Sequence, residues 1–173
     1  MHYRLLNRRL LCMSLLIAAV TNGADLQIPS VTLDGNPETE GISPVTTSVI
    51  PGEKLLVAIT GSQVLNMHSY SVKCAFDTEV VAFEGAVAKL SPFTPAFLES
   101  NNGKIAAFLS IPGNGFVEIA ATQTGKDPAS SVSGSGILGY LSFSSKKSGN
   151  PRIIITEARI VDPEGTVSPA ILP

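Results

Sequence analysis

The chain has 173 residues, of which 12 are basic and 14 acidic. Three of the basic residues, Arg4, Arg8 and Arg9, lie among the first ten, which leaves nine basic against fourteen acidic residues for positions 25–173. A net charge of −5 disfavours nucleic acid and anionic membranes, so we exclude both as partners. About 150 residues is the size of one domain with its own core.

The first 24 residues have the composition of a secretory signal peptide. The basic start is followed by a nearly all-apolar run at positions 10–20 and by small residues up to Ala24. A retained anchor is the rival interpretation, but a spanning helix needs about 20 apolar residues. We expect residues 1–24 to be removed and residues 25–173 to be secreted or periplasmic, with no membrane insertion after cleavage.

The mature chain begins with two apolar islands in a segment rich in Pro, Gly, Ser and Thr. Either residues 26–33 or residues 45–50 supply the first edge strand. After the Pro51-Gly52 turn, residues 55–60 form a short strand that is buried on both sides.

The stretch from Ser69 to Gly85 indicates the architecture most clearly. Tyr70 and Cys74 belong to an apolar set that alternates with polar residues, which is the period of a strand with one buried face. We expect Cys74, the single cysteine of the mature chain, to be a buried hydrophobe. Residues 80–88 form the next strand, with a bulge at Gly85. The two strands are either an antiparallel pair or a crossing between sheets.

The second half of the chain contains further strands. Residues 97–100 and 104–110 predict a hairpin whose second arm is central, because it is apolar on both faces. Residues 111–136 are expected to be mainly irregular, with a brief strand or helical turn at residues 116–122. Three later segments are predicted strands, the second with a bulge near Glu157: residues 137–145, 153–161 and 166–172.

Four motifs resemble cohesin domains, the dockerin-binding receptors of cellulosome scaffolds. They begin at Val49 (Val-x-Pro-Gly-Glu-x-Leu-x-Val-x-Ile), Phe76 (Phe-Asp-x-x-Val-Val-x-Phe-x-Gly), Gly136 (Gly-x-Leu-Gly-x-Leu-x-Phe) and Ile153 (Ile-x-Ile-x-Glu-Ala-x-Ile-x-Asp-x-x-Gly). They occur in the family's order over residues 49–172. The resemblance implies an all-β, jelly-roll β-sandwich of about nine strands.

The resemblance also implies a partner-binding face. Cohesins recognise dockerins with strands three, five, six and eight, which implies a protein partner, either a dockerin-type module or another surface protein, in a setting of polysaccharide degradation. The corresponding outward residues are Ser69, Ser71 and Lys73 on the third strand, Ala106 and Ala107 on the sixth, and Thr156 on the eighth. The shallow face at the two alanines has a second explanation, packing of one sheet on the other.

Residues with catalytic or metal-binding chemistry are sparse in the mature chain. A single histidine, His68, provides no Cys/His metal set, and no calcium-loop or nucleophile-elbow motif is present. We therefore expect no cofactor, no metal and no enzymatic activity. The sequence does leave one alternative, a catalytic pair of carboxylates drawn from five acids. These are Glu79, Glu84, Glu99, Glu118 and Asp127.

Two alternatives to protein binding remain. Carbohydrate-binding modules share the sandwich architecture, but tryptophan is absent and, of the tyrosines in the mature chain, Tyr70 is in the buried phase and only Tyr140 is predicted to face outward. Polysaccharide is therefore the weaker partner hypothesis. The other alternative is a purely structural extracytoplasmic domain.

Overall fold

The computed structural model describes residues 28–125 and 127–172, so the predicted signal peptide lies outside the described residues. Two antiparallel sheets face each other, with strand orders β1-β2-β7-β4 and β5-β6-β3-β8-β9. The predicted all-β sandwich of about nine strands is confirmed. The strands are β1 (Ser30–Asp34), β2 (Lys54–Met67), β3 (Ser69–Ala75), β4 (Val81–Val87), β5 (Ile105–Gly113), β6 (Phe116–Gln123), β7 (Val132–Ser145), β8 (Ile154–Val161) and β9 (Val167–Pro169).

The core lies between the sheets and follows from the period of two in each strand. In β3 the side chains of Tyr70, Val72 and Cys74 are buried, while those of alternate residues are half-exposed. The same alternation buries Ile119 in β6 and Phe143 in β7. Burial of one such side chain contributes about 1.5–3 kcal/mol, so these inward rows hold the two sheets together.

The strands β3 and β4 do not form a hairpin, because they belong to different sheets. Of the two possibilities that the sequence leaves open, the crossing between sheets is therefore correct. The predicted bulge in β4 is present, since the register with β7 shifts between Phe83 and Gly85. In β8 the register with β3 shifts between Glu157 and Ile155, so Thr156 is the extra residue of the second predicted bulge.

The prediction that residues 111–136 are mainly irregular is wrong. Residues 116–123 form a complete strand, β6, with alternating burial, and β5 and β7 extend into the rest of the segment. The β5–β6 hairpin has the two-residue loop Asn114-Gly115, in which Gly115 has φ = 79°. Asn-Gly is a strong hairpin signal, but the many glycines in this segment are equally typical of an irregular loop.

The predicted hairpin at residues 97–110 is also wrong in two respects. Phe97–Glu99 is a short 3-10 helix, and β5 is an edge strand with a single partner, β6. The strand is apolar on both faces because the outward leucine and isoleucine are exposed, not because sheets cover both sides.

Backbone hydrogen bonds join the edge strand β1 to the C-terminal segment that follows β9. Ile171 donates its N–H to Pro29 O and accepts from Val31 N–H, at 2.8 and 3.0 Å. The last strand, Val167–Pro169, is therefore shorter than predicted, because the chain leaves β8 to reach β1. Of the two candidate first strands, the earlier one is correct, and Val49 forms only an isolated bridge with Gly149.

Candidate functional site

The side of the five-stranded sheet that points away from the core is an open face, here called the outer face. The register of β5, β6, β3 and β8 decides which side chains share it. The outer face carries Ala107, Leu109 and Ile111 from β5, Phe116, Glu118, Ala120 and Thr122 from β6, Ser69, Ser71 and Lys73 from β3, and Glu157, Arg159 and Val161 from β8.

The predicted residues of β3 lie at the centre of the outer face. Ser69, Ser71 and Lys73 are half-exposed and alternate with the buried row of β3. Thr156 lies next to them in the bulge of β8, where its hydroxyl donates to Lys73 O at 3.2 Å. The structure therefore brings four of the six predicted residues together.

The two predicted alanines lie elsewhere. Ala106 and Ala107 are on β5, the fifth strand and the sheet edge, and not on the sixth strand. The register shift between Ile105 and Ala107 leaves Ala106 unpaired and exposed, while Ala107 lies opposite Thr122 on the outer face. The strand β6 separates both alanines from β3, so the predicted set is incomplete without β6.

The outward residues of β6 are the part of the site that sequence reasoning missed. Glu118 Oε1 accepts a hydrogen bond from Ser71 Oγ at 2.8 Å. The ring of Phe116 lies under Lys73, with the ammonium nitrogen 4.1 Å from the ring centroid. The β-branched residues Val117 and Ile119, two positions apart on either side of Glu118, are the signal that predicts this strand.

Four charged side chains form one half of the outer face, here called the charged half: Lys73, Glu118, Glu157 and Arg159. Lys73 lies opposite Glu118 on β6 and opposite Glu157 on β8, and Arg159 contacts Glu157 directly. Lys73 is thus one of two cations among two acids. Exposed ion pairs contribute only about 0–1 kcal/mol, so these groups are free to exchange partners at little cost.

The other half of the outer face is apolar and consists of Ala107, Leu109, Ile111 and Ala120. Leu109 and Ile111 are 54% and 52% exposed. A shallow depression of about 180 Å³ lies beside them, between β5, β6 and the start of β3. Contiguous exposed aliphatic groups are typical of an interaction surface. Here they lie on the same sheet as the charged half.

The groups with intrinsic reactivity are buried. The Cys74 thiol has no exposed surface, and burial raises its pKa to about 12. The prediction that Cys74 is a buried hydrophobe is confirmed. Burial also raises the pKa of Tyr70, whose hydroxyl donates to Leu138 O. His68 is 8% exposed, and within the described residues its Nδ1 has no hydrogen-bond partner.

Tyr140 lies on β7 in the other sheet, with its side chain half-buried in the outward phase. It lines a depression of about 310 Å³ together with Phe97 and Leu90. Burial first, and then the nearby Asp34 carboxylate, raise the pKa of its hydroxyl. The tyrosine is thus separate from the outer face, and only part of its ring is open.

The five candidate acids each have a partner that holds the carboxylate. Glu118 accepts from Ser71, and Glu99 accepts from the Lys89 ammonium at 2.7 Å. The others follow the same pattern: Glu79 pairs with Lys147, Glu84 accepts from Ser144, and Asp127 accepts from Ala129 N–H. Within residues 28–125 and 127–172 no three or more His, Cys, Asp or Glu residues group as metal ligands, and no helix is long and apolar enough to cross a bilayer.

The similarity of this chain to known proteins is found in its three-dimensional structure. No family model matches the sequence, and no curated protein matches it. The sixth cohesin of scaffoldin B from Acetivibrio cellulolyticus, solved in complex with a Cel5 dockerin, superimposes with a TM-score of 0.61 and 14% identity, over 84% of this chain and 94% of that one.

Two further solved cohesins come from different settings. The cohesin module of a family 33 glycoside hydrolase from Clostridium perfringens has a TM-score of 0.60 and 11% identity, over 85% of this chain and 93% of that one. The non-cellulosomal cohesin of Archaeoglobus fulgidus has a TM-score of 0.54 and 11% identity, over 82% and 83%. The chain has the cohesin fold, as its motifs predict.

Proposed function

We propose that the mature chain is an exported, non-catalytic binding domain that captures a protein partner on the outer face. The observation that carries the proposal is the arrangement of that face, where an apolar half and a charged half lie side by side on one open sheet. Protein interfaces combine apolar and polar surface in this way.

The shape of the outer face favours a protein over a small molecule. Its depression holds only about 180 Å³, whereas small-molecule sites typically hold about 300–1,000 Å³. A protein partner contacts many strands at once and needs no deep pocket. Lys73 and Arg159, alternating with Glu118 and Glu157, would then select among partners by charge complementarity.

A dockerin-type module is the partner class that the comparisons support, since a cohesin of the same fold is solved with a dockerin. A setting in polysaccharide degradation is supported by the cohesin module of a glycoside hydrolase. Direct sugar binding is the second candidate function, because Tyr140 lines a depression on the opposite sheet.

The test compares substitutions in the two halves of the outer face with matched controls. The mature protein is used to capture extracellular proteins of its source organism, and association with the captured partner is then followed at several salt concentrations. We expect Lys73→Glu to slow association and alter its salt dependence, and Leu109→Ser to speed dissociation. Lys54→Glu and Leu65→Ser are the controls, because Lys54 and the equally exposed Leu65 lie in the other sheet.

Retention on insoluble polysaccharide is measured in parallel. If Tyr140→Ala abolishes retention while no protein is captured, the sugar-binding function is correct and protein capture is wrong. Equal losses for Lys73→Glu and Lys54→Glu would likewise contradict a role for the outer face.

A further inference from the structure

A third concavity lies between the edges of the two sheets. It has a volume of about 600 Å³ and is here called the edge groove. One wall is formed by β1 and residues 42–47, and the other by residues 150–155. Leu33, Val45 and Ile155 at its base pack against the core, so the groove reaches between the sheets.

The strand pairing explains why this region stays open. The strand β9 pairs with β8 only at Arg159–Val161, so within the described residues no strand pairs with the first half of β8 on the edge away from β3. The strand β1 has one strand partner, β2, and on its other side forms a single bridge from Ser30 to Ile171. Apolar side chains between the two edges are therefore left partly uncovered.

The rim of the edge groove exposes isoleucine. Ile42 and Ile154 are 54% and 56% exposed, although both adjoin a largely aliphatic surface. Covering apolar surface contributes about 25 cal/mol per Å². A hydrocarbon chain lying along the groove would gain this energy.

A single charge lines the edge groove. Among the lining residues only Arg152 is charged, and within the described residues it forms no salt bridge. Its backbone has φ = 48°, a conformation uncommon outside glycine, and its N–H donates to Asn150 Oδ1 at 2.8 Å. A guanidinium forms paired hydrogen bonds with carboxylates, so this cation complements one anionic head group.

We propose that the edge groove binds an amphiphile with one carboxylate and a hydrocarbon chain of medium length. The carboxylate lies on Arg152, and the chain lies between Ile42 and Ile154 along the aliphatic walls. The groove volume is within the range of small-molecule sites, about 300–1,000 Å³. Ile154 lies opposite Ala75 at the margin of the outer face, whereas Arg152 and Ile42 lie apart from that face.

The test uses the mature protein with isoleucine methyl groups labelled for NMR. Three ligands with a ten-carbon chain are titrated below their micelle concentration or solubility limit: decanoate, decanol and decyltrimethylammonium. We expect saturable shifts with decanoate at Ile42 and Ile154, and at least tenfold weaker binding of the other two. Arg152→Gln should weaken decanoate binding about tenfold, the scale of one charge-assisted hydrogen bond pair.

Two variants separate a specific site from general stickiness. Arg159→Gln removes an exposed arginine from the outer face and should leave decanoate affinity unchanged. Ile42→Ser alters an exposed position, so the protein should stay folded while decanoate binding weakens. The proposal is overturned if folded protein shows no saturable decanoate shifts, if Arg152→Gln binds decanoate normally, or if all three ligands bind equally. Partner capture by Arg152→Gln should match that of the wild type, so failure here is distinguishable from failure of the proposed function.

Discussion

Tyr70 and Cys74 share the inward row of β3, where the physical demands on polar atoms are strict. Tyr70 meets them by donating its hydroxyl to Leu138 O in the opposite sheet. Cys74 meets them differently, because a thiol is a weak donor that tolerates apolar surroundings. A buried residue of this kind affects stability and not chemistry.

The first prediction is that Cys74→Ser destabilises the fold by about 1–3 kcal/mol, since the buried serine hydroxyl gains no assured partner. Urea unfolding measures the loss. Ser69→Ala is the control on the outward row of the same strand, and it should change the unfolding free energy by less than about 0.5 kcal/mol. With a thiol pKa raised to about 12 by burial, native Cys74 should react slowly with thiol reagents at neutral pH. Rapid labelling would contradict the assignment.

At the scale of elements, residues 88–104 connect β4 to β5 without forming a strand. An ion pair between Lys89 and Glu99 holds this connection in place. The Glu99 carboxylate accepts from Lys89 at 2.7 Å and from Ala96 N–H at 3.0 Å, at the start of the short 3-10 helix. The Lys89 hydrogen bond, followed by the Ala96 hydrogen bond, lowers the pKa of Glu99 below its ordinary 4.5. Leu98 next to it is buried, so the pair fixes a hydrophobic anchor.

The second prediction concerns acid stability. Because the folded pKa of Glu99 is lowered, its contribution is fully present above pH 4.5 and is lost as the pH falls through the folded value. Glu99→Gln should therefore destabilise the protein at neutral pH and reduce the fall in stability below pH 4.5. Urea unfolding between pH 3 and 7 checks this. Lys89→Gln should have a similar effect, and the double variant should lose less than the sum.

At the scale of the whole molecule, the two sheets have separate surfaces. The five-stranded sheet presents the outer face, and the other sheet carries Tyr140 beneath the β4–β5 connection. The edge groove lies where the two sheets meet. The proposed protein partner and the proposed amphiphile would therefore use largely different residues of one sandwich.

The third prediction is that exported material lacks the signal peptide, with cleavage between Ala19 and Ala24. It follows from the basic, apolar and small-residue order at the start of the sequence. N-terminal sequencing of protein from the culture medium or periplasm should find a start between residues 20 and 25. A start at Met1 would show that the segment is retained.

Properties of single strands were predictable from the sequence. The buried row of β3, the buried Cys74 and the bulge at Gly85 follow from a period of two and from residue types within a few positions. The cohesin motifs extended this to the fold class, since their order along the chain matches a complete sandwich.

The neighbours of each strand were decided only by the tertiary structure. Ser71 and Glu118, which share a hydrogen bond on the outer face, are 47 residues apart in the chain, and nothing local to either predicts their contact. The position of β5 at an edge, with β6 between it and β3, likewise depends on which strands pair. Which way a side chain points is set by its own strand, whereas a binding face needs several strands in register, and that register comes from packing distant segments around one core.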